Sequence, residues 1–267
     1  MVRTLLALAV LLAAGCGSPS PPAGTVAFPA GTLVDLSHAY DSRTIFWPTV
    51  TEGFRLDKVA DGMTPGGYYY AANNFCGAEH GGTHLDAPVH FAAGRHTVDQ
   101  IPLASFLGPA AVVDVTEAAT RDADYQVSVA DFERYEQAHG AITPDMIVLV
   151  RTGFSSRWPD AARYLGTAER GEEAVAKLHF PGLHPDAARW LVANRPIKAI
   201  GLDTASIDYG QSTAFESHRV LYDRNIPAFE NLTNLDRLPA RGAHIVALPM
   251  KIAGGSGAPL RAVAIVP

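Results

Sequence analysis

Short runs of apolar and β-branched residues recur along this chain, and several are separated by segments with helical periodicity. Runs of this kind, bounded by turn residues, are typical of buried strands. Six of them are predicted to be strands: 32–36, 111–115, 146–150, 197–202, 244–248 and 261–266. In the second half of the chain, helix and strand alternate. This alternation predicts a mixed α/β fold in which helices cover the layers of a mixed sheet.

Three helices are predicted, and two of them have recognisable beginnings in the sequence. Ser128 and Asp131 form a capping box in which Asp replaces the usual Glu. Pro185, directly after His184, occupies the first turn of a second helix. A third helix is predicted over roughly residues 213–223. Because no repeat or low-complexity segment interrupts residues 31–267, we interpret them as one domain.

The N-terminus has the layout of an export signal. Arg3 precedes an apolar run that ends at Ala14. Gly15 and Cys16 come next, and a segment rich in Ser and Pro follows. This pattern predicts a signal peptide over residues 1–15, then a lipidated Cys16 with a flexible linker over residues 16–30. An ordinary cleaved signal with a chance cysteine is the alternative. The predicted location is the cell envelope, with the membrane contacted only through the lipid anchor.

Charge and cysteine content argue against a nucleic-acid partner and against an intrachain disulfide. The formal net charge is −6 and no run of Lys or Arg occurs, so the basic surface that nucleic acid requires is not expected. After Cys16, only Cys76 remains, and it has no partner for an intrachain disulfide. Cys76 is interpreted as a small hydrophobic residue rather than as a soft metal ligand.

The segment HGGTHLDAPVH, residues 80–90, contains three histidines and a carboxylate. Its paired glycines disfavour a helix, so an extended backbone is expected. Side chains alternate along a strand, which places His84 and Asp86 on one face, and a turn at the glycines could return His80 to that face. Two imidazoles and one carboxylate suffice to hold a divalent metal.

His90 continues the same alternation beyond Pro88 and is predicted to be a proton carrier beside the metal. The imidazole pKa near neutrality suits transfer in either direction. Any one of these histidines alone would more often be an ordinary hydrogen-bonded residue. The density of the whole group favours a catalytic metal site.

The fixed positions of this segment resemble the signature H-x-G-T-H-x-D-x-P-x-H of the cyclase family of metal-dependent hydrolases, which includes bacterial kynurenine formamidases and isatin hydrolases. The chain matches the signature at His80, Gly82, Thr83, His84, Asp86, Pro88 and His90. Asp35-Leu-Ser37, Trp47-Pro48, residues 201–208 and GGSGAPLRAVAI are also similar to family segments. The resemblance therefore extends over nearly all of the predicted domain.

This resemblance implies a swivelling β/β/α-type fold and a site for one or two ions of Zn or Mn. His80, His84 and Asp86 would bind one ion, and Asp86 would bridge to a second ion held by His218 and Glu230. Without the resemblance, His218 and Glu230 are equally well explained as surface groups. The resemblance also gives Trp47 a substrate contact, although Thr49 stands where many members have Gly.

The implied activity is hydrolysis of a C–N amide-type bond in a small aromatic molecule by a homo-oligomer. Arylformamidase activity, which converts N-formylkynurenine to kynurenine and formate, is the first expectation. Opening of a cyclic amide such as isatin is the alternative, and a metal-dependent binding lipoprotein without turnover is a third. A serine hydrolase built on GGSGA is disfavoured, because no histidine follows it. The run Tyr68–Tyr70 is interpreted either as substrate contacts or as a strand with one buried face.

Overall fold

A computed structural model of the chain describes residues 30–267. The predictions of a signal peptide and a lipidated Cys16 rest on residues that lie outside the described part. Among the helices of that part, none has the length and apolar character needed to span a membrane.

Twelve strands are present in the described residues, and six of them follow the predicted apolar runs. They are β1 (Thr32–Asp35), β2 (Arg55–Met63), β3 (Tyr69–Cys76), β4 (His84–Asp86), β5 (Leu107–Asp114), β6 (Gln126–Val127), β7 (Ile147–Arg151), β8 (Gly182–Leu183), β9 (Ala199–Leu202), β10 (Ala228–Glu230), β11 (Arg241–Pro249) and β12 (Gly257–Val266). Each of the six predicted strands overlaps one of these elements. The hairpin of β2 and β3 was not predicted as a pair.

Eight of the strands form one mixed sheet in the order β1-β12-β11-β5-β7-β9-β10-β4. The sheet closes on itself, because β12 also pairs with β4 through its first residues. Strands β5, β7, β9 and β10 run parallel to their neighbours in this series, and the remaining pairs are antiparallel. The prediction of a mixed α/β single-domain fold is therefore confirmed.

Helices cover the outside of this sheet. They are α1 (Thr116–Arg121), α2 (Val129–His139), α3 (Ala161–Leu165), α4 (Glu172–Val175), α5 (Pro185–Asn194) and α6 (Glu216–Tyr222). The capping box of Ser128 and Asp131 begins α2, as predicted, and Pro185 stands in the first turn of α5. The third helix is shorter than predicted, since Phe215 adopts a left-handed conformation directly before α6.

The two faces of the sheet belong to two different hydrophobic cores. Leu85, Leu149 and Phe229 point into the core enclosed by the sheet. Val148, Val150 and Ala228, their neighbours in sequence, pack outward beside α2, α5 and α6. Because strand side chains alternate, the residues that flank Leu85 and Phe229 must also point outward, towards α6.

Candidate metal centre

The register of β4 against β10 brings together the first part of the site. Glu230 lies directly opposite His84, and Ala228 lies opposite Asp86. Residues that face each other across a ladder share one face of the sheet, as do residues two apart in a strand. His84, Asp86 and Glu230 therefore project from the same outward face of the sheet. His84 and Asp86 share a face in the structure, as the sequence predicted.

A tight turn returns His80 to this face. Gly82 adopts a left-handed backbone with φ +57°, which a side chain would strain, and a Cβ there would lie 2.7 Å from the Tyr40 ring. Gly257 of β12 leaves room for the His80 ring, because a Cβ at that position would lie 2.5 Å from it. As a result, His80 Nδ1 lies 2.7 Å from Asp86 Oδ1.

Helix α6 supplies the last member of the group. His218 Nε2 lies 3.3 Å from Glu230 Oε1 and 3.5 Å from Asp86 Oδ2. The five residues form two sets of three whose ligand atoms lie within 4.8 Å of one another, and Asp86 belongs to both: His80, His84 and Asp86, and then Asp86, His218 and Glu230. The structure thus brings together all five residues that the sequence analysis proposed as metal ligands.

The state of His84 indicates that this group fits a divalent ion. Its Nε2 atom is buried and makes no hydrogen bond to any described residue, although Asp86 Oδ1 lies 3.1 Å away and Glu230 Oε2 3.5 Å away. An unpaired buried polar atom costs about 1–3 kcal/mol. Ligation would satisfy this nitrogen, and a set of imidazole and carboxylate donors suits Zn or Mn.

The pKa values of the group show how strongly its charges depend on one another. Burial opposes the charged form of Asp86, but the imidazoles of His80 and His218 hold its pKa well below the usual value. For Glu230, burial and the neighbouring Asp86 carboxylate raise the pKa. Burial likewise opposes the imidazolium of His218, yet the carboxylates of Asp208, Asp86 and Glu230 raise the pKa of His218 well above its usual value. Metal binding would therefore displace a proton from His218.

Three residues that the sequence analysis did not identify hold these ligands in place. Asp208 Oδ2 lies 2.5 Å from His218 Nδ1, which turns Nε2 of that ring towards the other ligands. The Tyr222 hydroxyl donates to Asp86 Oδ2 at 3.0 Å. Asn231 Nδ2 donates to the Gly82 carbonyl at 2.8 Å and so anchors the turn after His80. Tyr222 follows His218 by four residues in α6, and this spacing was the only sequence signal for it.

We expect Asp208→Asn to weaken metal binding by roughly 10- to 100-fold, the usual effect of removing an outer carboxylate partner of a ligating histidine. Competition with a chromophoric chelator measures this affinity. Asp223→Asn is the matched control, because Asp223 follows the same helix but is exposed and pairs with Arg95. Equal affinities for the two variants would contradict the role given to Asp208.

His90 lies beside the metal ligands but belongs to neither set of three in the described residues. Its ring stacks on His80 with centroids 3.8 Å apart, and its Nε2 lies 3.9 Å from Asp86 Oδ2. The predicted strand register at His90 is wrong, because Pro88 turns the chain into a short 3₁₀ helix over Pro88–His90. Burial of much of the ring lowers the pKa of His90 to about 4. The imidazole is therefore neutral at pH 7, as a general base must be.

A cavity of about 280 Å³ opens onto the group of five. Its polar wall contains the ligand side chains and His90, and its apolar wall includes Phe46, Trp47, Phe91 and Phe215. Phe91 and Phe215 stack with ring centroids 5.0 Å apart, and Trp47 meets Phe215 edge-on at 6.2 Å. Trp47 therefore lies where the sequence analysis expected a substrate contact, and Thr49 also lines the cavity.

The tyrosine run and Cys76, which the sequence also singled out, do not lie at this site. Tyr68, Tyr69 and Tyr70 are exposed on the hairpin of β2 and β3, so neither substrate contact nor a buried strand face describes them. Cys76, at the end of the same hairpin, is exposed and is not part of either ligand set. Its interpretation as a buried hydrophobe is wrong.

Ser256, in the GGSGA segment, lies behind the site. Its hydroxyl is 3.0 Å from His80 Nε2, so Ser256, His80 and Asp86 form a hydrogen-bonded series like that of a serine hydrolase. The hydroxyl, however, donates to the Glu79 carboxylate at 2.7 Å, and Ser256 is not among the described residues that line the cavity. This arrangement suits a residue that orients His80 rather than a nucleophile.

Comparison with known proteins shows which family and which enzymes the chain resembles. The Cyclase family model matches residues 34–209. Isatin hydrolase from Roseibium aggregatum is 32% identical over 209 residues, which cover 75% of this chain and 77% of that enzyme. Kynurenine formamidase from Salinibacter ruber is 31% identical over 238 residues, which cover 86% of this chain and 96% of that enzyme.

Solved structures resemble the chain over a similar length. Isatin hydrolase A from Ralstonia solanacearum superposes with a TM-score of 0.78 at 34% identity, covering 88% of this chain and 92% of that one. Isatin hydrolase A from Labrenzia aggregata gives a TM-score of 0.77 at 32% identity, covering 88% of this chain and 93% of that one.

Proposed function

The chain belongs to the Cyclase family, and from this we propose that it is a metal-dependent hydrolase that cleaves the C–N bond of a small, uncharged aromatic cyclic amide of the isatin type. The observation that carries the proposal is the cavity. It joins a wall of aromatic side chains to a group of five metal-ligand candidates and a neutral histidine. An uncharged aromatic ring fits against the aromatic wall, and a scissile carbonyl fits beside the metal-ligand candidates.

The charge of the cavity lining favours the cyclic amide over N-formylkynurenine. An amino acid substrate carries a carboxylate, which enzymes usually pair with Arg or Lys. In the described part of the chain, no Arg or Lys side chain lines this cavity. Arylformamidase activity, the first expectation from the sequence, therefore becomes the second candidate. It is supported by the similarity to kynurenine formamidases.

His80, His84 and Asp86 would hold one ion, and His218 and Glu230 would complete a second position through Asp86. When bound, a divalent ion supplies a Lewis acid for the substrate carbonyl and makes hydroxide available at neutral pH. The aromatic wall orients the ring, and the partly enclosed cavity limits access of bulk water.

His90 would carry out the proton transfers of this reaction. Its ring is neutral at pH 7 and its Nε2 faces the ligand group, so in the tautomer with the proton on Nδ1 it can accept a proton from the attacking water. A C–O bond forms at the carbonyl carbon, the C–N bond breaks, and His90 returns the proton to the departing nitrogen. Because a ligand-capturing protein without turnover has no need of a proton carrier, this arrangement supports an enzyme rather than a binding lipoprotein.

Parallel assays of metal-loaded protein on isatin and N-formylkynurenine test the substrate proposal. We expect kcat/KM to be higher for isatin by at least tenfold, a difference of about 1.4 kcal/mol in transition-state binding. Loss of the isatin absorbance and formation of kynurenine are followed directly. A clear preference for N-formylkynurenine would instead support the arylformamidase candidate.

The proposed setting of this reaction is the cell envelope. It depends on export and lipidation at Cys16, which rest on the sequence pattern alone. Mass spectrometry of the mature N-terminus tests it, because a lipidated Cys16 would be the first residue of the protein.

A further inference from the structure

The GGSGA segment has no part in the proposed reaction, yet it lies directly against the metal-ligand candidates. Gly257 pairs with Asp86 across the ladder of β12 and β4. Ala87 N, one residue further along the chain, donates to the Ser256 carbonyl at 2.8 Å. These two contacts fix the segment beside the ligands, and the Ser256 hydroxyl lies 3.0 Å from His80 Nε2. Ser256 is therefore placed to act on a metal ligand.

Glu79, the residue before His80, is bound firmly to the same segment. Its Oε2 atom accepts hydrogen bonds from Ser256 N at 3.0 Å, from Gly257 N at 3.2 Å and from the Ser256 hydroxyl at 2.7 Å. A backbone N–H group can only donate, so Oε2 is an acceptor in all of these contacts. The hydroxyl proton of Ser256 is therefore committed to Glu79.

This hydrogen bond determines how Ser256 interacts with His80. A hydroxyl has one proton, and that proton is donated to Glu79, so the serine oxygen accepts from His80 Nε2. The neutral ring that binds a metal then carries its hydrogen on Nε2 and its lone pair on Nδ1. Nδ1 is also the atom that faces the other ligands, 2.7 Å from Asp86 Oδ1.

His80 differs in this respect from the other two histidines of the ligand sets. Nδ1 of His84 lies 3.0 Å from the Gly82 carbonyl, and Nδ1 of His218 lies 2.5 Å from Asp208 Oδ2. In both rings an acceptor occupies Nδ1, and Nε2 faces the other ligands. His80 has the opposite orientation, because its Nε2 is occupied and its Nδ1 faces the ligands.

We propose that Glu79 is a positioning residue for the metal, which acts through the Ser256 hydroxyl to fix the His80 ring so that Nδ1 binds the ion. We call Glu79, Ser256 and His80 the relay. A carboxylate that is hydrogen-bonded to a ligating histidine orients the ring and raises its basicity, and here one hydroxyl transmits that effect. The inference rests on the metal site of the proposed function but not on its substrate.

The two glycines that flank Ser256 leave room for the relay. A Cβ at Gly257 would lie 2.5 Å from the His80 ring, and a Cβ at Gly255 would lie 3.0 Å from Glu79 Oε1. A side chain at either position would push apart the groups that the hydroxyl joins. The sequence Gly-Ser-Gly is therefore explained by the placement of one hydroxyl between a carboxylate and an imidazole.

The orientation of the His80 ring also affects the proposed proton carrier. The His90 ring stacks on the His80 ring with centroids 3.8 Å apart and an angle of 19° between the two planes. If the His80 ring rotated, it would remove a ligand from the metal and also the surface on which His90 packs. The relay therefore supports both the metal ligand and the proton carrier, although neither Glu79 nor Ser256 is among the described residues that line the cavity.

Zinc affinity, measured by competition with a chromophoric chelator, tests the relay without an activity assay. We expect Ser256→Ala to weaken zinc binding roughly 10- to 100-fold, the usual effect of losing an outer partner of a ligating histidine. Glu79→Gln should weaken it less, because the glutamine oxygen can still accept from the serine hydroxyl. The double variant should match Ser256→Ala within about twofold, since two residues that act through one contact are not additive.

Ser156→Ala is the matched control. The Ser156 hydroxyl also makes a hydrogen bond, to the Gly153 carbonyl, but Ser156 is not among the described residues of the cavity or of the ligand sets. It should bind zinc as the unaltered protein does, and circular dichroism checks that every variant is folded. Unaltered protein that binds no zinc would contradict the proposed function itself. Zinc affinity that Ser256→Ala leaves unchanged, or additive losses in the double variant, would overturn the relay alone.

The bound nitrogen of His80 is tested in the unaltered protein. Long-range ¹H–¹⁵N spectra of zinc-loaded protein labelled with ¹⁵N-histidine distinguish a zinc-bound Nδ1 from a zinc-bound Nε2. We expect one ligating histidine with zinc on Nδ1 and a hydrogen on Nε2, and we expect the signal of that hydrogen to be lost through exchange with water in Ser256→Ala. Spectra in which every ligating histidine binds zinc through Nε2 would overturn the proposal.

Discussion

Asp86→Asn should abolish metal binding at both positions and reduce hydrolysis to the background rate. Asp86 is the one residue shared by the two ligand sets, and its two oxygens face opposite members: Oδ1 lies near His80 and His84, and Oδ2 near His218. Asparagine keeps the shape but removes the charge. The affinity should therefore fall by more than the roughly 100-fold that loss of an outer partner produces, as measured by metal content after dialysis.

The control for this experiment is Asp114→Asn, at an exposed carboxylate that pairs with Arg151 and does not line the cavity. It should retain both metal and activity. If Asp86→Asn fails to fold without metal, Asp86→Glu keeps the negative charge and displaces it by one methylene. Full metal occupancy in Asp86→Asn would show that the ion is held elsewhere.

His90→Ala should reduce kcat by roughly 10²- to 10⁴-fold, the usual contribution of a general acid–base group, while metal content stays unchanged. The reason is positional: His90 contacts the ligands through the His80 ring but belongs to neither ligand set of the described residues. Added imidazole should restore part of the rate, because the lost group leaves space at the cavity wall.

His139→Ala provides the comparison, since His139 is an exposed residue at the end of α2. It should behave as the unaltered protein does. If His90→Ala loses metal in proportion to activity, His90 is a ligand and the division of roles between it and His80 is wrong. If the rate falls without imidazole rescue, the ring acts mainly by packing against His80.

Local patterns in the sequence were sufficient to predict much of the site. The paired glycines excluded a helix, and the alternation of a strand placed His84 and Asp86 on one face, which the register of β4 reproduces. The same reasoning failed two residues later, because Pro88 ends the strand and begins a 3₁₀ turn that carries His90. His90 nevertheless reaches the site, by stacking on His80 rather than by alternation.

Contacts between distant parts of the chain could not be predicted in this way. The pairing of His84 with Glu230, and of Asp86 with Gly257, depends on a sheet register that no local pattern determines. Only the family resemblance pointed to His218 and Glu230. Asp208 was quoted as part of a similar segment, but its role depends on its distance from His218 Nδ1 in the folded chain.

The exposed hairpin illustrates a different limit. Alternation predicts a strand by assuming that its apolar face is buried within the chain. Large apolar side chains of the β2–β3 hairpin, among them Leu56, Met63 and Tyr69, are nevertheless exposed, so the pattern around Tyr68–Tyr70 gave no information on their surroundings. A strand whose apolar side chains are exposed therefore has the same sequence pattern as a strand with one buried face.

Metal titration of chelator-treated protein, with binding and isatin hydrolysis measured on the same samples, tests the central claim most directly. We expect the metal-free protein to be folded and inactive, and activity to rise with bound Zn or Mn until the His80, His84 and Asp86 position is filled. Binding should release protons, because the pKa of His218 is raised well above its usual value in the metal-free site, and affinity should therefore increase with pH. Full hydrolytic activity in protein shown to contain no metal would contradict the account.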